Sequence, residues 1–139
     1  MGAAVAGRLA AHLVLTLSLA GSRLRAMHEM SLAEGVLQLI EDAARKDHFA
    51  KVTRVWLEIG QLSAVEPEAM LFCFEAVTRG SVAQGARLEI IAAPGTGWCP
   101  ACAKTVPMAE VIGECPHCGG YPLRVTGGTE MRVKELEVF

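Results

Sequence analysis

Four of the five cysteines in this 139-residue chain fall into two Cys-x-x-Cys pairs, Cys99-Pro100-Ala101-Cys102 and Cys115-Pro116-His117-Cys118. Each pair is set among prolines and glycines and can turn tightly enough to aim two sulfurs at one ion. Two such turns supply four thiolates, the closed tetrahedral set of a structural zinc site. The 12 residues between the pairs make a spacing slightly shorter than that of the usual zinc ribbon. A redox motif needs one such pair at a strand-to-helix turn, and an odd cysteine count does not suit a disulfide framework. Iron in the same cage is the rival to zinc, because the ligands alone do not choose. Once four thiolates are bound no coordination position stays open, so the expected role is structural or regulatory rather than hydrolytic.

Around these cysteines, Val106, Met108, Val111 and Ile112 offer only a minimal apolar core, and a segment this small should not fold without its metal. His117, inside the second pair, is read as an exposed side chain. The fifth cysteine, Cys73, stands in Leu71-Phe72-Cys73-Phe74 with nothing basic beside it, and reads as a small buried hydrophobe without a function.

The composition narrows the classes of function. Thirteen basic and 15 acidic residues leave a formal charge of −2, without the basic excess of a dedicated nucleic-acid binder. The segment around the cysteines carries only Lys104 and Arg124 with Trp98 and Tyr121, which is thin for a zinc-ribbon nucleic-acid or interaction module, the alternative class. No nucleophile–base pair, phosphate loop or open metal site with matched acids points to an enzyme. Hydrophobic residues make up 52% of the chain, enough for a packed core.

The elements that must position the cysteines follow from periodicity. Ser31-Leu32-Ala33-Glu34 has the form of a capping box, and Leu32, Val36, Leu39, Ile40 and Ala43 repeat behind it at helical spacing. Val55, Leu57 and Ile59 alternate with Arg54, Trp56 and Glu58, predicting a half-buried strand that ends at Gly60 with Trp56 outward. Glu66-Pro67 opens a second helix whose buried stripe is expected at Met70, Leu71, Phe74 and Val77, with Gly80 near its end. Residues 87–92 alternate again. At the C-terminus Met131 and Val133 share one face, and Leu136 and Val138 resume it one residue late, which a bulge near Lys134-Glu135 reconciles.

The expected fold is therefore α+β: two helices packed on a small three-stranded sheet, with an inserted zinc-ribbon-like four-cysteine domain. The domain expectation places an α+β unit at residues 27–93 and 125–139 and the zinc-binding unit at residues 94–124. Residues 1–26, apolar and without an acidic residue, are expected to be a non-native or disordered extension. Three readings compete for them: a cleaved secretory signal with Arg8 as its thin positive region and a cut near Ala20-Gly21-Ser22, a poorly ordered extension, or a start placed upstream of a native Met27. The last is favoured. The apolar run is too short to span a bilayer, and unpaired cysteines suit a reducing, cytoplasmic compartment.

Met27-His28-Glu29-Met30-Ser31-Leu32 resembles the start of the HypA/HybF family of hydrogenase maturation factors. The similarity continues through Leu57-Glu58-Ile59-Gly60, Val65-Glu66-Pro67-Glu68, residues 72–79, both cysteine pairs, Val125-Thr126-Gly127-Gly128 and Val133-Lys134-Glu135-Leu136. It implies a nickel metallochaperone, not an enzyme, that carries Ni(II) as transient cargo to the large subunit of a nickel–iron hydrogenase. The resemblance also implies a GTPase partner, HypB. Carried over, the nickel ligands are Met27, His28 and Glu29, and the ligands of a structural Zn(II) are Cys99, Cys102, Cys115 and Cys118. Square-planar nitrogen coordination suits Ni(II), and a terminal amine, backbone amides and the His28 imidazole can reach one ion in a plane if Met27 begins the chain. In the sequence as it stands that amine is held in a peptide bond to Ala26. Neither a nucleic acid nor a membrane is an expected partner; homodimerisation is left open.

Overall fold

The computed structural model describes residues 7–15 and 25–139. Its larger sheet has four strands in the order β1 (Gly7–Leu15), β7 (Met131–Val138), β2 (Val52–Gly60) and β3 (Arg87–Ala93). β2 and β3 run parallel, joined through the helix α2 (Pro67–Thr78), while β7 is antiparallel to both β2 and β1. The other helix, α1 (Arg25–Asp47), packs against α2. Leu32, Val36 and Ile40 of α1, Met70 and Phe74 of α2, and Val55, Leu57, Val133 and Leu136 of the sheet form one buried core.

This is the expected pair of helices on a small sheet, with one strand more than the sequence suggested. The fourth strand is β1, which lies in the segment expected to be disordered or non-native and pairs along β7. The cleavage position expected near Ala20-Gly21-Ser22 lies outside the described residues.

Two local expectations are corrected. Helix α1 does not begin at Ser31 but six residues earlier, so Ser31 is an exposed residue within the helix rather than its cap. Arg25, Ala26, Met27, Glu29 and Met30 are good helix formers and simply extend the periodic segment upstream. In α2 the buried stripe runs through Met70, Cys73, Phe74 and Thr78, with Val77 half-buried, while Leu71 remains 43% exposed. The i, i+3, i+4 spacing from Met70 selects Cys73 and Phe74, and Leu71 lies a hundred degrees round the helix. Pro67 opens α2, as the sequence predicted, and Glu66 caps it through its side chain.

The bulge in the last strand is present. Trp56 pairs with Glu135 and Leu57 with Val133, so Lys134 is the extra residue, and Met131, Val133, Leu136 and Val138 all face the core. On the opposite face Arg132 pairs with Glu58 at 3.1 Å and Arg54 lies over the Trp56 ring.

A second, three-stranded sheet carries the cysteines. β4 (Thr96–Cys99) lies between β5 (Lys104–Pro107) and β6 (Arg124–Gly127), antiparallel to both. The two sheets meet at three glycines. A Cβ on Gly60 would lie 2.2 Å from the Gly128 carbonyl oxygen, and one on Gly128 would lie 2.6 Å from Cα of Gly95. Backbone bonds fasten the same point: Leu62 N–H donates to Gly128 O at 2.7 Å, and Met108 N–H to Gly95 O at 2.9 Å.

Candidate metal centre

Cys99 ends β4 and Cys102 closes the turn that leads into β5. Ala103, the residue after Cys102, takes a left-handed conformation at φ 52, which lets the chain reverse so that Cys99 and Lys104 pair across the hairpin. The N–H of Cys102 points at the Cys99 sulfur, 3.4 Å away. The second pair is built in the same way with a different residue at the reversal: Gly119 at φ 70 follows Cys118 and donates its N–H to the Cys115 carbonyl at 2.8 Å. Cys115 in turn donates to the Gly120 carbonyl at 3.1 Å.

The two turns face each other. Cys99 Sγ lies 3.6 Å from Cys118 Sγ, Cys102 Sγ lies 3.8 Å from Cys115 Sγ, and all four sulfurs lie within 4.8 Å of one another. A tetrahedron with metal–sulfur bonds of about 2.3 Å has sulfur–sulfur edges of roughly 3.8 Å, so the cluster has the dimensions of a four-thiolate zinc or iron cage. All four thiols are free of disulfides. Among the described residues, no other group of three or more His, Cys, Asp or Glu side chains is gathered in this way.

The crowded sulfurs hold their protons unevenly. Burial pushes the Cys115 thiol up, but the backbone N–H groups of Cys118 and His117, with the neighbouring sulfurs, outweigh burial and draw it down to about 6. Cys102 is pushed up to about 12, first by its contact with Cys118 and then by burial and the other two sulfurs. A dication at the centre would replace these shared protons with bonds to all four sulfurs.

The apolar support is as small as the sequence suggested but differently composed. Val106 and Met108 are buried, with Cys99, Cys115 and the half-buried Leu123. Val111 and Ile112 are not in it: they are exposed, Ile112 to 76%. His117 is exposed, as expected.

Met27, His28 and Glu29 all lie in the first turns of α1. His28 is half-buried, and its Nε2 is buried without a hydrogen-bond partner. Glu29 is only 4% exposed, and its Oε1 accepts the N–H of Glu66 at 3.3 Å. Glu29 also lines a cavity of about 1010 Å³ at the C-terminal ends of β2 and β3, together with Ile59, Gly60, Glu66, Pro67 and Ala93. The burial of Glu29 and its bond to Glu66 carried no sequence signal, because the two residues are 37 positions apart. Cys73 is buried near this wall. Burial pushes its thiol up and the charge of Glu29 adds to the shift, which suits the inert role expected for it.

A family model described as "Hydrogenase/urease nickel incorporation, metallochaperone, hypA" matches residues 27–138. A hydrogenase maturation factor HypA from Albidiferax ferrireducens is 86% identical over 112 residues, covering 81% of this chain and 99% of the relative. Its counterpart from Dechloromonas aromatica is 68% identical with the same coverage. The solution structure of the nickel metallochaperone HypA from Helicobacter pylori superposes with a TM-score of 0.59 at 28% identity, covering 79% of this chain and 96% of that one. A second solution structure, of a HypA protein, gives a TM-score of 0.61 at 31% identity, covering 81% and 97%.

Proposed function

The chain belongs to the HypA family of nickel-incorporation metallochaperones that act in hydrogenase maturation, and from that premise we propose that it binds Ni(II) at Met27, His28 and Glu29 and helps to insert it into the large subunit of a nickel–iron hydrogenase. The observation that carries this reading is the place of His28, half-buried directly after Met27 in the first turns of α1. An imidazole nitrogen is a preferred ligand of Ni(II), and Nδ1, on the backbone side of the ring, is the one that can close a chelate with the His28 amide.

Placement in the first turn of α1 supports the same reading. In the helix that starts at Arg25 the His28 N–H is the first to bond within it; in a chain beginning at Met27 it loses that acceptor and is available to a square-planar ion beside the terminal amine. Glu29, tied to Glu66, holds this turn against α2. Nickel is cargo, and its proposed site is separate from the closed four-sulfur site, for which Zn(II) is the proposed structural ion. In this reading residues 27–93 and 125–139 form the nickel-binding domain and residues 94–124 the zinc-binding domain. The chain works as a carrier rather than an enzyme, in the cytoplasm, with the GTPase HypB as its partner. No helix among the described residues is long and apolar enough to cross a membrane.

Nickel titration with elemental analysis, on chains beginning at Met1 and at Met27, tests this. One zinc in each and tight planar nickel in the Met27 chain are expected. Nickel bound equally by both chains would move the site away from the Met27 amine. Nickel bound by neither, with His28→Ala silent, would leave a zinc-stabilised interaction module.

A further inference from the structure

The family match begins at Met27, so β1 precedes it, and without β1 the order of the larger sheet leaves β7 as an edge strand. An edge presents a row of backbone N–H and C=O groups that pair readily with another extended segment. In this chain residues 7–15 are seated on that edge, and their register is specific. Leu9 pairs with Leu136, Leu13 with Val133 and Leu15 with Met131, so three leucines stand opposite three residues of β7 that are buried in the core. Arg8 pairs with Glu137, a cation opposite an anion. The irregularity between Ala10 and Leu13 falls where β7 carries its extra residue, Lys134, so the pairing keeps phase across the bulge.

We propose that the outer edge of β7 is a strand-addition site for an extended segment of a partner chain, one with apolar residues opposite Met131, Val133 and Leu136 and a basic residue opposite Glu137, and that residues 7–15 occupy it in cis. Backbone bonds supply affinity at such an edge, and the alternate side chains supply selectivity. A one-residue slip would set different residues of the added segment opposite Met131, Val133 and Leu136, which is why a matched register discriminates among extended segments. Chains of this family that begin at the position of Met27 would present the edge bare, whereas this one carries its own competitor. The inference is independent of nickel binding.

The probe is a labelled synthetic peptide of residues 7–15, offered to the chain beginning at Met27 and to the full chain. Solved relatives that span this shorter segment are folded, so the shorter chain is a fair target. The peptide is expected to bind the shorter chain and to slow amide exchange in β7. It should bind the full chain at least about tenfold more weakly, because opening the cis strand must come first. An Arg8→Glu peptide should bind up to about fivefold more weakly, the size of one cross-strand charge pair. A full-length Leu13→Pro variant, in which β1 cannot complete its ladder, should regain peptide binding. Failure of the peptide to bind the shorter chain would overturn the proposal. So would self-association of the shorter chain that the peptide cannot dissociate, since the edge would then belong to an interface between copies.

Discussion

The carboxylate of Glu29 accepts the backbone N–H of Glu66 at 3.3 Å, joining the first turns of α1 to the start of α2 across 37 residues of sequence. Glu66 itself caps α2 with its side chain, so one residue both starts a helix and receives the other helix's anchor. The pair fixes the segment that carries His28, and it does so from the wall of the cavity at the ends of β2 and β3.

Glu29→Gln keeps an acceptor oxygen at this position, whereas Glu29→Ala leaves the Glu66 N–H without its partner. Urea unfolding should show the alanine variant less stable by about 1–2 kcal/mol and the glutamine variant near the parent. Equal losses in both would mean that the charge, not the hydrogen bond, holds the two helices.

The four-sulfur cluster makes a sharper demand. Structural zinc sites in small modules bind with about 10–16 kcal/mol, so losing one of four ligands should weaken metal by about 3 kcal/mol, roughly a hundredfold. Cys99→Ser and Cys115→Ser should therefore lose metal to a chelator that leaves the parent loaded. Cys73→Ala should keep full metal content, because Cys73 lies in the other core. Metal loss in the Cys73 variant would show that the two cores are not separable.

Contact between the sheets depends on glycines. Gly60→Ala would drive a methyl group to 2.2 Å from a backbone carbonyl that cannot swing aside. Gly128→Ala adds a strained backbone at φ 84 to a similar clash. Each should cost about 3 kcal/mol or more and lower Tm, with Gly128→Ala the worse. A Gly60→Ala variant melting with the parent would mean that the junction is loose enough to open.

What could be seen in the sequence followed local rules. The spacing of Cys99, Cys102, Cys115 and Cys118 set the metal chemistry, because a tight turn brings each pair together without help from the rest of the chain. The one-residue lag between Val133 and Leu136 gave away the bulge at Lys134, since a period of two admits no other repair. The short strands β4, β5 and β6, at four residues each, have no periodicity to read; backbone pairing around the cysteines makes them. Strand β1 escaped because composition alone likened it to a signal segment, while its register partner lies more than a hundred residues away. The start of α1 was misjudged because a capping-box pattern competes with good helix formers upstream, and the upstream residues prevailed.

Acid should release the metal, with a break in slope. In the metal-free cluster the Cys115 thiol is drawn down from 9.0 to about 6. Its contribution to folded-state stability is therefore present above pH 9 and is lost as pH falls through 6. Cys102, raised to about 12, contributes in the opposite sense, below pH 9, and loses that contribution as pH rises through 12. Metal release requires every thiolate that returns to a thiol to take up a proton. Between pH 6 and 9 Cys115 takes up none, so at most three protons accompany release. Below about pH 6 the fourth joins, and metal affinity should fall more steeply by one further power of ten per pH unit. Competition with a chelator of known pH dependence, followed from pH 8 to pH 5, measures that slope. An unbroken line through pH 6 would show that the N–H groups of His117 and Cys118 do not hold Cys115 as a thiolate.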